Sequence, residues 1–72
     1  MKQELIELTG VVEDILKGDN FKIKTESGHY ALCRPSGRIR QHKIRIIVGD
    51  SVKIEVSPYD LSKGRIVYRD KG

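Results

Sequence analysis

The 72 residues of this chain suffice for one small domain and exclude a second, because even about 60 residues bury only roughly 60% of their unfolded surface. Hydrophobic residues make up 38% and charged residues 33%, a balance that is typical of a globular domain and argues against disorder. The net charge is +4, and the longest apolar run, residues 30–33, is far shorter than the ~20 residues of a membrane-spanning helix. A lone cysteine, Cys33, excludes a disulfide framework, so we expect a reducing compartment, the cytoplasm, and no membrane or export role.

Alternation of apolar and polar residues with a period of two dominates the first half of the chain. Residues 5–16 are rich in apolar side chains and contain Gly10, which predicts one long first strand with a bend or a close backbone approach at the glycine. Phe21, Ile23 and Thr25 alternate with charged residues, which predicts a second strand with a buried face that includes Phe21. The pair Ser27-Gly28 then predicts a tight turn into a third strand over residues 29–34.

The segment after the third strand has a different pattern. Pro35 ends the strand, Ser36 is a residue type that caps helices, and residues 38–43 lack alternation, which predicts one or two helical turns. Alternation returns at residues 52–56, the predicted fourth strand, and a fifth strand is expected over residues 65–69.

In the predicted fifth strand, Gly64 precedes the first residue, and Ile66 and Tyr68 are expected to share one face. Five short strands with a helical insert between strands 3 and 4 predict an all-β fold, the five-stranded oligonucleotide-binding (OB) barrel, which also removes exposed strand edges. Residues 1–72 are expected to form this single domain. An SH3-like barrel is the structural alternative.

The charge of the chain is concentrated in one segment. No acidic residue occurs between Glu26 and Asp50, and residues 21–49 carry seven bases against one acid, whereas residues 1–20 carry two bases against five acids. A compact patch of one sign attracts a polyanion, and the planar guanidinium of Arg suits phosphate. A membrane surface is disfavoured because only Ile39 could provide an apolar face. The cations of this gap are Arg34, Arg38, Arg40, Lys43 and Arg45.

Aromatic residues that could stack on unpaired bases are few. Tyr30 and Tyr68 are expected to be half-buried strand residues, and Tyr59 is expected to pack over the barrel end. This pattern favours structured RNA, recognised by shape and phosphate, over the loose single strands that a cold-shock type of protein binds.

The sequence contains no pattern for metal binding or catalysis. His29, Cys33 and His42 are too few for a structural zinc site and lack paired spacing, so His29 is expected to face solvent or to cap a turn. Nucleotide-binding glycine loops and catalytic constellations are absent from the sequence. We therefore expect no cofactor, no metal and no enzymatic activity.

Residues 36–40, 44–46, 49–50 and the string Ser-Pro-Tyr-Asp-Leu-Ser-Lys-Gly-Arg-Ile at residues 57–66 resemble bacterial translation initiation factor one. The resemblance extends from about Leu5 to Arg69 and is most specific in that string. It implies an OB barrel of the S1-like type that binds the aminoacyl-tRNA (A) site of the small ribosomal subunit, contacts the decoding-region RNA and an adjacent ribosomal protein, and cooperates with the two other bacterial initiation factors. A monomer is expected.

The resemblance also implies which residues contact RNA. They are Arg38, Arg40, His42, Lys43 and Arg45 in the insert, and Lys63, Arg65 and Arg69 in the last loop and strand; the charge pattern adds Arg34. The chain departs from the family pattern at residues 33–35, at Gln41 and at Lys43. Two other functions stay open: a general single-stranded nucleic-acid chaperone on the same barrel, and a protein-interaction module that binds an acidic partner.

Overall fold

Five strands close into a barrel in the computed structural model, which describes residues 5–70. In chain order the elements are β1 (Ile6–Leu16), β2 (Asn20–Thr25), β3 (Tyr30–Pro35), α1 (Gly37–Gln41), β4 (Ser51–Ser57) and β5 (Asp60–Asp70). The strand order around the barrel is β1-β2-β3-β5-β4, and β1 pairs with β4. The predicted OB barrel with a helical insert between strands 3 and 4 is confirmed.

Strand β5 completes the barrel because it pairs on both sides. It is antiparallel to β4 and parallel to β3, and the parallel register places Arg34 opposite Arg65 and Leu32 opposite Lys63. The other neighbouring pairs, β1 with β2, β1 with β4 and β2 with β3, are antiparallel. Residues distant in sequence, in the third strand and in the C-terminal string, therefore lie side by side.

The barrel interior is filled by the buried members of the alternating strands. Phe21 is among them, as predicted, and the insert contributes Ile39 and Ile46. Burial of such aliphatic side chains contributes about 1.5–3 kcal/mol each to stability. The remaining members are Val12, Ile23, Ala31, Cys33, Val52, Ile54, Val56 and Ile66.

Two glycines let strands approach closely. A Cβ at Gly10 would lie 2.6 Å from Cγ2 of Ile23 and 2.7 Å from the carbonyl oxygen of Lys24, which confirms the close approach expected there. A Cβ at Gly64 would collide with the carbonyl oxygen of Glu55 on β4. Side chains at either position would push the barrel wall apart.

The predicted bounds of the last strand were wrong. β5 begins at Asp60, so Gly64 lies inside the strand and does not precede it. The expectation that Ile66 and Tyr68 share a face was also wrong: Ile66 pairs with Ile54 and is buried, whereas Tyr68 pairs with Lys53 and is exposed. The intervening register shift is a β-bulge, which reverses the facing of the residues that follow it.

No helix within residues 5–70 is long and apolar enough to cross a membrane.

Candidate nucleic-acid interface

The insert is held on the barrel by a helix cap and two buried isoleucines. Oγ of Ser36 accepts the backbone N–H of Ile39 at 3.3 Å, as expected of a helix N-cap. Ile39 and Ile46 are buried, one in α1 and the other in the segment that returns to β4. The helix α1 also packs against β3 and β5. The polar residues between the two isoleucines are thereby presented to solvent on a fixed backbone.

The end of α1 is a Schellman turn. The N–H of Lys43 donates to the carbonyl of Arg40 at 3.1 Å, and the N–H of Ile44 donates to the carbonyl of Ile39 at 3.2 Å. Lys43 takes a φ of 52°, the left-handed conformation that glycine usually occupies at this position. This backbone reversal directs the chain after α1 away from the helix axis and toward Ile46.

All five predicted insert residues are exposed. Among the ion pairs of residues 5–70, only one involves an insert cation: Nη2 of Arg40 lies 3.5 Å from Oδ2 of Asp19. Both side chains of that pair are well exposed, so the pair contributes at most about 1 kcal/mol and is readily exchanged for a phosphate. The insert cluster, as we name it, consists of Arg38, Arg40, His42, Lys43 and Arg45.

Three further predicted residues lie on the outer wall of the barrel. Arg34 on β3 and Arg65 on β5 are register partners and both are exposed, and Lys63 pairs with Leu32 in the row beside them. Arg65 also contacts Glu55, with Nη2 3.2 Å from Oε1. The parallel pairing thus brings Arg34 into one group with residues from the C-terminal string.

Arg69 has a different environment. Its Nε donates to Oδ2 of Asp50 over 3.0 Å, and the two side chains are only 27% and 15% exposed. The same carboxylate oxygen accepts the N–H of Ile47 at 3.0 Å. Arg69 therefore holds the returning end of the insert against β5.

Of the three tyrosines, Tyr59 departs from its prediction, whereas Tyr30 and Tyr68 are half-buried strand residues as predicted. The prediction that Tyr59 packs over the barrel end was wrong, since this residue is 90% exposed in the turn between β4 and β5. Tyr30 and Tyr68 expose 46% and 55% of their surfaces. Nζ of Lys22 lies 4.6 Å from the ring centroid of Tyr30, and Nζ of Lys53 lies 5.8 Å from that of Tyr68.

Two further cations, Lys22 and Lys24, were not among the residues that the sequence predicted to contact RNA. Lys22 and Lys24 project from the solvent face of β2, where the register places them opposite Leu32 and Tyr30. The alternation around Phe21 already assigned both lysines to the solvent-exposed face. Which strand lies beside that face follows only from the pairing of β2 with β3.

Two of the three residues considered for metal binding, Cys33 and His29, have structural roles. Cys33 faces the barrel interior, and burial raises the pKa of its thiol from 9.0 to about 12. Nδ1 of His29 lies 2.8 Å from Oγ of Ser27 and 3.0 Å from Oγ1 of Thr25, so the imidazole closes the turn between β2 and β3. Within the described range 5–70, no group of three or more His, Cys, Asp and Glu side chains could hold a metal ion.

The arrangement suits a phosphate backbone better than a small ligand. The five cations of the acid-free segment, Arg34 and the four of the insert, would give a salt slope of up to about −3.5 for a single strand and about −4.5 for a duplex if every cation engaged a phosphate. Arg34, Lys63 and Arg65 extend the positive surface along the β3–β5 wall next to the insert.

Known proteins of one family match this chain over nearly its whole length. The profile of the family described as translation initiation factor 1A / IF-1 matches residues 1–71. Translation initiation factor IF-1 of Mycoplasmoides gallisepticum is 54% identical over 69 residues, which cover 96% of this chain and 99% of that protein. The factor of the same name from Rhodospirillum rubrum is 49% identical over 70 residues, which cover 97% of this chain and 74% of that protein.

Solved structures also match the fold of this chain. The solution structure of translation initiation factor IF-1 from the Wolbachia endosymbiont of Brugia malayi superposes with a TM-score of 0.78 at 44% identity and covers 94% of this chain and 80% of that chain. YjeQ of Thermotoga maritima superposes with a TM-score of 0.73 over 90% of this chain and 23% of its own, and at 24% identity it shows a shared fold alone. The expectation of a non-enzymatic factor is confirmed by the names of the relatives. The chain is a member of the translation initiation factor 1A / IF-1 family.

Proposed function

We propose that this initiation factor binds the A site of the small ribosomal subunit through contacts with ribosomal RNA, and that it excludes tRNA from that site during start-complex assembly. The observation that carries the proposal is the insert cluster, whose five exposed residues lie on one anchored segment. Its only ion pair within residues 5–70 is the exposed contact of Arg40 with Asp19. Family membership supports a role on the ribosome. The mechanism is occupancy of the site, without a covalent step.

The RNA-binding surface has a centre and an extension. Arg38, Arg40, His42, Lys43 and Arg45 form the centre, where a rigid backbone presents several donors to phosphate oxygens. Arg34, Lys63 and Arg65 extend it along the barrel wall. Arg69 supports the insert through Asp50 and contacts the RNA with its remaining N–H groups in this proposal.

The remaining partners follow from the same proposal. Residues 1–72 act as one RNA-binding domain and as a monomer, because a single copy fills one site on each small subunit. The adjacent ribosomal protein and the two other initiation factors contact the surfaces that the RNA leaves free. The factor acts in the cytoplasm, where small subunits begin translation.

Arg40→Asp tests the centre of the surface. The substitution reverses one charge of the insert cluster and replaces the ion pair with Asp19 by two neighbouring acids. Because Arg40 is exposed, the barrel is expected to fold. We expect co-sedimentation of the variant with small subunits at moderate salt to be lost.

Lys24→Asp is the matched control. It makes the same change of charge on the outer wall of β2, outside the insert cluster, and should leave co-sedimentation close to that of the unaltered protein. Retention of full binding by Arg40→Asp, or equal loss in both variants, would show that the insert does not determine binding.

A further inference from the structure

The turn between β1 and β2 brings an acidic side chain against the insert cluster. The sequence around the insert is free of acids over residues 27–49, but Asp19, which precedes Arg40 by 21 residues, lies beside α1 in the folded barrel. Its Oδ2 is 3.5 Å from Nη2 of Arg40, and the side chains of Asp19 and Arg40 are 70% and 54% exposed. The proposed RNA-binding surface therefore has an anion at its edge, contributed by a distant part of the chain.

The backbone of this turn fixes the position of Asp19 without requiring its charge. Gly18 and Asp19 both have positive φ, 73° and 59°, and Nδ2 of Asn20 donates to the carbonyl of Lys17 at 2.9 Å. Turns of this mirror-image type accept glycine, asparagine and aspartate at their central positions. The turn thus explains an aspartate or an asparagine at position 19, but it does not explain a negative charge there.

The contact with Arg40 gives that charge an effect on binding. Nη2 of Arg40 donates to the carboxylate of Asp19, and the same carboxylate repels a phosphate that approaches the guanidinium. A polyanion that offers only phosphate oxygens must displace the carboxylate and then remain beside it. Because both side chains are well exposed, the expected penalty is at most about a fivefold loss of affinity.

RNA differs from other polyanions in carrying a 2′-hydroxyl on the ribose next to each phosphate. This hydroxyl can donate to Asp19 while the neighbouring phosphate accepts from Arg40, since the carboxylate is mostly exposed. A hydrogen bond to an ionised acceptor is stronger than one between neutral groups, so it offsets the repulsion of the phosphate. A cation and an anion side by side therefore match a phosphate and a hydroxyl side by side.

We propose that Asp19 is a specificity-determining residue of the insert cluster. It weakens the binding of polyanions that lack hydroxyl donors, and it accepts the 2′-hydroxyl of an RNA whose phosphate contacts Arg40. This inference rests on the proposed binding of the insert cluster to ribosomal RNA and adds the residue that makes this binding selective.

The test compares two duplexes of one sequence, one of RNA and one of DNA, in a fluorescence titration at about 0.1 M salt, where the Debye length is about 10 Å. Asp19→Asn should raise the affinity for the DNA duplex by about two- to fivefold. It should leave the affinity for the RNA duplex close to that of the unaltered protein, because the loss of repulsion is offset by the weaker hydrogen bond to an amide oxygen. Thermal unfolding checks that the turn tolerates asparagine.

Glu7→Gln is the matched control. Glu7 also belongs to an exposed ion pair, with Oε1 4.0 Å from Nζ of Lys53, but that pair lies between β1 and β4, outside the insert cluster. This variant loses the same charge and should leave both affinities unchanged. In an Arg40→Gln background, Asp19→Asn should no longer raise the affinity for DNA, because the contact that it relieves is already absent.

Equal changes for RNA and DNA, no change for either, or a gain for DNA as large in Glu7→Gln would overturn the inference. Absence of binding to both duplexes by both the unaltered protein and Asp19→Asn would overturn it as well. Co-sedimentation of Asp19→Asn with small subunits should stay unchanged. Retention of subunit binding by Arg40→Asp contradicts the proposed function, whereas the duplex comparison of Asp19→Asn addresses selectivity alone, so the two failures are distinguishable.

Discussion

Arg69 and Asp50 form the most deeply buried ion pair of residues 5–70, with Nε 3.0 Å from Oδ2 and side chains 27% and 15% exposed. Because the same oxygen of Asp50 also accepts the N–H of Ile47, one carboxylate joins β5 to the end of the insert. The pair supports the proposed RNA-binding surface, so we expect its disruption to lower the stability of the protein first.

Arg69→Gln should lower the free energy of unfolding by about 1–3 kcal/mol, because the variant leaves a mostly buried carboxylate without its charged partner. Arg65→Gln is the control: Arg65 pairs with Glu55 at a comparable distance, but its side chain is 57% exposed, so the expected loss is at most about 1 kcal/mol. Urea denaturation measures both. Equal losses would assign Arg69 no special role in holding the insert.

Lys43 combines a strained backbone with a proposed RNA contact, and substitution can separate the two. Lys43→Gly should raise stability by roughly 1 kcal/mol because glycine adopts the left-handed φ of 52° without a steric cost, whereas Lys43→Ala keeps that strain. Both variants should lower the magnitude of the salt slope of small-subunit binding by about 0.7 to 0.9. Identical stabilities of the glycine and alanine variants would contradict the left-handed assignment.

Gly64→Ala tests the close approach of β5 to β4. The added Cβ collides with the carbonyl oxygen of Glu55, which is backbone and cannot rotate away, so a loss of about 1–3 kcal/mol is expected. Gly37→Ala is the opposite case: a Cβ there meets nothing within 4 Å, and alanine favours the helix by up to about 1 kcal/mol. Thermal unfolding should therefore shift in opposite directions in the two variants.

The sequence was sufficient for the barrel because its signals are local. Alternation around Phe21 and around Ile54 identified β2 and β4, and Ser36 marked the start of α1. The acid-free gap likewise indicated the four cations of the insert cluster, because the absence of acidic residues is visible in the sequence without knowledge of the fold.

Features that depend on pairing between distant strands were not predictable in this way. The parallel pairing of β3 with β5, which joins Arg34 to Arg65, leaves no local signal, and the bulge that turns Tyr68 outward breaks the alternation on which the prediction depended. Lys24 and Tyr30 likewise become neighbours only once the register between β2 and β3 is known.

Cys33 provides a test of burial and of pH dependence. Its folded pKa of about 12 lies above 9.0, so the unfolded chain releases the thiol proton first as the pH rises. Stability should therefore fall above pH 9 and be unaffected by this thiol below it. The native protein should react slowly with iodoacetamide at pH 8 and rapidly in denaturant, and Cys33→Ala should lose part of the decline in stability at alkaline pH. Rapid alkylation of the native protein would contradict the buried position.

Chemical footprinting of small-subunit RNA, with and without the protein, measures the central claim most directly. We expect the protein to protect nucleotides of the decoding region in the A site, and Arg40→Asp to remove that protection at the same concentration. Unchanged reactivity of the decoding region, or protection that survives the charge reversal at Arg40, would contradict the account.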